Sequence, residues 1–136
     1  MPSALLALQR ATHATLHLIS SALADLDLTA AELNALANLS DGQARTVSQL
    51  GAAVGSRPTT LTSVLDRLER RGLVTRTTRA ADRRSVLIEL TENGAATADE
   101  IARTIADLEA GALHDVSPRS VAGFHVVLRA LTGANA

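Results

Sequence analysis

Midway along this chain the hydrophobic period switches from helical to alternating, directly after two short helices joined by a tight turn, and few folds accommodate that order. Thr29-Ala-Ala-Glu32 and Thr46-Val-Ser-Gln49 are both capping boxes: the Thr hydroxyl accepts an orphan amide while Glu or Gln reaches back to the cap. The first opens a helix ending near Asp41-Gly42, the second a short helix stopped by Gly55. Ser56 or Arg57 then caps a further helix, with Pro58 in its first turn, running to Arg71 and closed by Gly72. Two helices joined this tightly form a helix-turn-helix candidate. Residues 73–79 and 86–90 alternate instead, which reads as two strands joined across Ala80-Ala-Asp-Arg-Arg84. A helix over about residues 3–24 precedes all this, and two follow, from the Thr91 cap to about Leu113 and from Ser117-Pro118 to about Leu131. The order is α-α-α-α-β-β-α-α, mainly α with a small β-hairpin.

Composition narrows the functions such a fold can serve. The 136 residues are 46% hydrophobic and 20% charged, as in a folded domain with a core. There is no Cys, which excludes disulfides, thiol catalysis, thiol redox sensing and Cys-ligated zinc. A single Phe, with no Trp or Tyr, argues against binding single strands by base stacking. The net charge of −1 conceals a segregation. Arg45 to Arg84 holds nine Arg against three acidic residues, a net of +6, while the rest holds four Arg against eleven, a net of −7. A basic middle between acidic ends suits a polyanion-binding face, although a solvated helix face filled with Arg by codon usage would give the same charge map. The apolar run Ala4 to Leu8 is too short for a signal peptide or a membrane span, so a soluble, cytoplasmic protein is expected.

The terminal helices carry seam-like stripes. Ala98, Ile101, Ile105, Leu108 and Ala112 are spaced 3, 4, 3, 4, and Val121, Phe124, Leu128 and Leu131 are spaced 3, 4, 3; Leu5, Leu8 and Ile19 lie on one stripe of the first helix. A central module of residues 29–91 is too small to cover them all, so a homodimer built from residues 1–28 and 92–136 is expected, with an intramolecular bundle as the alternative. The expected dimer contacts are Leu5, Leu8, Ile19, Ile101, Ile105, Leu108, Val121, Phe124 and Leu128.

On the helix begun by Pro58, Leu61, Val64, Leu65 and Leu68 face the core. Its outer side and start offer Ser56, Arg57, Thr59, Thr60, Thr62, Ser63 and Arg67, hydroxyls followed by guanidinium groups, which suits a DNA major groove. Asp66 is expected to orient Arg70, four residues on, with cytosine readout as the alternative. The hairpin adds Arg76, Arg79, Arg83 and Arg84; an Arg at such a tip can enter a narrow minor groove, and Asp82 is expected to hold Arg76 or Arg84.

Residues 28–95 resemble the MarR family of transcriptional regulators. The resemblance is carried by Leu28-Thr29, by Val47-Ser-Gln-Leu50 and by Leu68-Glu-Arg-Arg-Gly-Leu-Val-Thr-Arg76. Asp82-Arg83-Arg84 matches the family's D-x-R wing signature, and Leu90-Thr-Glu-Asn-Gly94 its L-T-x-x-G exit, whereas Ala80-Ala81 replace a frequent Pro. The resemblance implies a winged helix-turn-helix, a homodimer, and binding to a pseudo-palindromic double-stranded operator. It also implies repression, less often activation, usually relieved by a small-molecule effector, with no cofactor. Family pockets are often lined by aromatics, and this chain has none in its first two helices.

Two alternatives stand beside that reading. One is a winged-helix module that binds protein rather than DNA. The other is a zinc-responsive regulator using His13 and His17, four residues apart on the first helix. No nucleophile-base pair or phosphate-cradling Gly loop suggests an enzyme.

Overall fold

Local capping decides where most of the helices begin. In the computed structural model, which describes residues 1–79 and 82–133 with the side chains of 79 and 82–84 excepted, α1 (Ala4–Ala22) starts where Ser3 accepts the amide of Leu6. A 3-10 turn (Ala24–Leu26) leads to α2 (Ala30–Ala37), whose capping box is complete: Thr29 accepts from the Glu32 amide at 3.2 Å and donates its own amide to Glu32 at 3.1 Å. Thr46 and Gln49 repeat this at α3 (Val47–Val54). Each such cap contributes about 1 kcal/mol. α4 (Pro58–Arg70) has Arg57 at its N-cap and Pro58 at its first position.

β2 (Val74–Arg79) and β3 (Asp82–Leu90) form the hairpin. β1 (Arg45–Thr46), which precedes α3, pairs with the far side of β3, so the antiparallel order is β1-β3-β2. Two residues are too few to display an alternation, and this strand escapes a reading by period. β3 also begins earlier than expected. Thr78 faces Val86 but Arg79 faces Asp82, so residues 83–85 bulge from the ladder instead of forming a loop. α2 in turn ends sooner than its sequence suggests, and three-residue turns carry the chain on to Gly42.

α5 (Glu92–Ala112) and α6 (Pro118–Thr132) complete the chain. The core gathers Leu33, Leu36 and Leu39 around α2, Leu50 of α3, Leu61, Val64, Leu65 and Leu68 of α4, and Val74 and Ile88 of the sheet. It reaches beyond residues 29–91 at both ends, to Leu23 on one side and to Ala98 and Ile101 on the other. Gly72, at φ +72°, turns the chain from α4 into β2. Gly94 is required by proximity: a Cβ there would lie 1.8 Å from the carbonyl oxygen of Leu73. Thr91 sets that contact, since its amide donates to Leu73 and its hydroxyl to Gly72 while its oxygen accepts from the Gly94 amide.

α1 and α6 behave differently, for neither contains a buried residue.

Candidate nucleic-acid interface

The helix expected to face DNA is held by four leucine and valine side chains and leaves its other side bare. Leu61, Val64, Leu65 and Leu68 are buried, whereas Arg57, Thr59, Thr60, Thr62, Ser63 and Arg67 are exposed and Ser56 is half-buried. Thr62 and Ser63 donate their hydroxyls back along the helix, to Pro58 at 2.9 Å and Thr59 at 3.4 Å. Arg57 makes no side-chain hydrogen bond or ion pair among the described residues.

Several arginines of the basic segment are occupied by the protein itself. Arg76, on β2, reaches back to α4, where it binds Asp66 at 2.6 Å and Glu69 at 3.0 Å. These two carboxylates, Glu69 foremost, push the Arg76 guanidinium to a still higher pKa. The pairing corrects one expectation, since Asp66 holds Arg76 rather than Arg70, whose Nε instead donates to the Asp66 carbonyl; the expectation that Asp82 holds Arg76 or Arg84 falls on a side chain outside the described residues. Arg67 Nε lies 3.8 Å from the buried carboxylate of Glu32. Arg71 spans to the segment after α1, donating to the carbonyls of Asp27 at 2.7 Å and Leu26 at 3.0 Å. Arg45 forms a two-point pair with Asp41, at 2.7 and 2.9 Å. The side chains of Arg79, Asp82, Arg83 and Arg84 lie outside the described residues.

The family profile that matches this chain covers residues 28–86 and is that of the MarR family. The chain carries a MarR-family domain. A curated relative, the organic hydroperoxide resistance transcriptional regulator of Bacillus subtilis (strain 168), is 41% identical over 70 residues, 52% of this chain and 48% of that protein. The chain therefore matches about half the length of this relative. Solved MarR structures match along nearly all of it. A mutant MarR from E. coli complexed with operator DNA shares 26% identity at a TM-score of 0.76, covering 91% of this chain and 89% of the other. BpsR of Bordetella bronchiseptica, described for the regulation of its DNA binding by 6-hydroxynicotinic acid, shares 25% at 0.79, covering 96% and 93%. The helices and antiparallel sheet described above are the winged helix-turn-helix of these MarR structures.

The other expected sites are dispersed. Of the proposed dimer contacts, Ile101 is completely buried within its own chain and has no surface to offer a second copy. Leu8, Ile19, Ile105, Leu108, Val121 and Leu128 are half-buried, while Leu5 and Phe124 are 55% and 52% exposed. Between α1, α5 and α6 lies an apolar groove of about 400 Å³, lined by Leu18, Ile19, Ile105, Leu108, Val121 and Phe124 among others. The chain's one Phe faces this groove from α6, an arrangement that spacing along α6 alone does not reveal. His13 and His17 are exposed on α1, and among the described residues no group of three or more potential ligands could hold a metal. No described helix is long and apolar enough to cross a membrane.

Proposed function

We propose that the protein is a homodimeric, sequence-specific regulator of transcription that binds a pseudo-palindromic duplex and represses nearby genes until a small molecule relieves it. The observation that carries the DNA reading is the bare outer side of α4, hydroxyl-rich and headed by a free Arg57, on a helix whose opposite side is locked into the core. A helix so mounted can enter a major groove without losing its packing. The MarR match and the operator-bound E. coli MarR structure support the same reading. Ser56, Arg57, Thr59, Thr60, Thr62, Ser63 and Arg67 then face the groove, and Arg79, Arg83 and Arg84 lie against the flanking backbone or minor groove. Arg76 acts as a positioning residue between wing and α4.

Dimerisation is supported by where the uncovered apolar side chains fall. Every large one that the described residues leave exposed lies before residue 19 or after residue 112. A patch this concentrated marks an interaction surface, and a second copy covers both ends at once by symmetry. Residues 1–28 and the chain from about 102 onward then form the dimer frame, and the segment between them the DNA-binding lobe. The groove opens among these same side chains and suits an apolar or aromatic effector.

The experiment is fluorescence anisotropy with duplexes from the regions flanking the gene, over a series of salt concentrations. Specific binding that weakens steeply with salt is expected. Arg57→Ala, Arg83→Ala and Arg84→Ala should each lower affinity; unchanged affinity in both wing variants removes the wing from the interface, and absence of any specific duplex removes the DNA reading.

A further inference from the structure

Along the outward line of α4 the side chains differ in what they still have to offer a base pair. Asp66 and Glu69 are engaged by Arg76, Arg67 stands beside Glu32, and Arg70 turns its Nε toward the Asp66 carbonyl. All of these belong to the second half of the helix. The first half, from Pro58 to Leu65, contains no Arg, Lys, Asn or Gln. Within the helix itself the bidentate pairs that pick guanine or adenine out of a major groove are therefore missing from this half, and Arg57 at the N-cap is the one such group beside it. Hydroxyls remain, but a hydroxyl donates and accepts equally well and discriminates little. Thr62 and Ser63 further commit their protons to Pro58 and Thr59. Thr59 and Thr60 are exposed and make no side-chain hydrogen bond among the described residues. Each presents a methyl group, and the major groove displays one matching feature, the C5 methyl of thymine.

We propose that the start of α4 reads thymine methyl groups through the Cγ2 methyls of Thr59 and Thr60, so that each half-site carries thymine where the helix begins. This rests on the duplex-binding reading above and deepens it from a binding face to a base preference.

The test uses the full chain to select duplexes from a randomised library, then remakes the selected site with deoxyuridine for each thymine. That exchange removes the methyl group and keeps both the base pairing and the O4 acceptor. Affinity should fall about fourfold per contacted methyl, the equivalent of burying roughly one methylene. Thr59→Ser and Thr60→Ser keep the hydroxyl and should bind the thymine and deoxyuridine sites alike at the affected position. A selected site whose affinity ignores every deoxyuridine overturns the methyl reading and leaves duplex binding standing. Sensitivity that persists undiminished in both Ser variants overturns the assignment to these two residues. Failure to select any site over random duplex overturns the duplex-binding reading beneath it.

Discussion

Leu36, Leu50 and Leu68 are fully covered by their own chain, whereas Leu5, Leu6 and Leu18, on an equally regular helix, stand open to solvent. The contrast divides the molecule. The lobe built from α2, α3, α4, the sheet and the first half of α5 closes its core with Leu23 from the end of α1, and its helices use one apolar face each. The terminal helices α1 and α6 bury no residue, yet α6 carries Phe124, Val126, Val127 and Leu131 in the open. Isolated amphipathic helices are marginal in water and need a partner surface. The lobe thus gathers nearly all of the buried side chains, and the terminal helices present most of their apolar ones to the outside.

The largest expected effect breaks the lobe. Gly94→Ala drives a methyl into the Leu73 carbonyl, a backbone atom that Thr91 holds in place. A loss of about 4 kcal/mol or more is expected, measured by urea denaturation, because the only relief is to part α5 from the hairpin. Gly111→Ala, where a Cβ meets nothing within 4 Å, is the control and should be neutral or slightly stabilising. Next in size is the frame. Phe124→Glu places a charge in the surface assigned to the second copy and should weaken the dimer at least about thirtyfold by sedimentation, while the lobe keeps its fold. A chain already monomeric at high micromolar concentration would overturn the dimer reading.

This division was partly legible beforehand. The caps at Thr29, Thr46, Thr91 and Ser117 are local signals, each complete within four residues, and each lies where the sequence places it. β1 was not legible, since its only support is pairing with a strand some forty residues away. The partner of Arg76 was not legible either, because helical spacing points Asp66 to Arg70 and charge along a chain does not show which guanidinium meets which carboxylate. Arg76 finds Asp66 ten residues back and Glu69 seven back only once the hairpin folds onto α4. Ile101 likewise shares a stripe with Ile105 and Leu108, yet the lobe's core claims it, because a helix longer than the lobe changes neighbours along its length.

Two arginines refine the comparison at smaller cost. Arg76→Ala frees the wing from α4; a surface ion network contributes little to stability, under about 1 kcal/mol, so the expected sign is a roughly tenfold loss of DNA affinity in a protein that melts almost normally. Arg71 links the two regions directly, from the end of α4 to the carbonyls of Leu26 and Asp27. Arg71→Ala should cost about 1 kcal/mol in denaturation, the scale of a hydrogen bond in a partly solvated site. It should also raise amide exchange at residues 24–28 ahead of the lobe; uniform protection would show that the link holds nothing that packing does not.

The smallest effect lies at Asp41, on the loop that leads into β1. Hydrogen bonds from Arg45 and from the Gln43 amide hold its carboxyl well below the usual carboxylate range. Because the folded value is depressed, the unfolded chain binds the proton more readily, and stability from this pair is present in full above the ordinary carboxylate pKa. It fades as pH falls from about 5 toward the folded value. The pair is exposed and screened by salt, so only a slight shift in melting temperature is expected for Asp41→Asn at pH 7 in low salt. That difference should shrink at pH 3 and vanish in molar salt. A difference that stays constant across pH would mean that the loop is shaped by the Gln43 hydrogen bond, which an Asn side-chain oxygen can still accept, and owes nothing to the charge on Asp41.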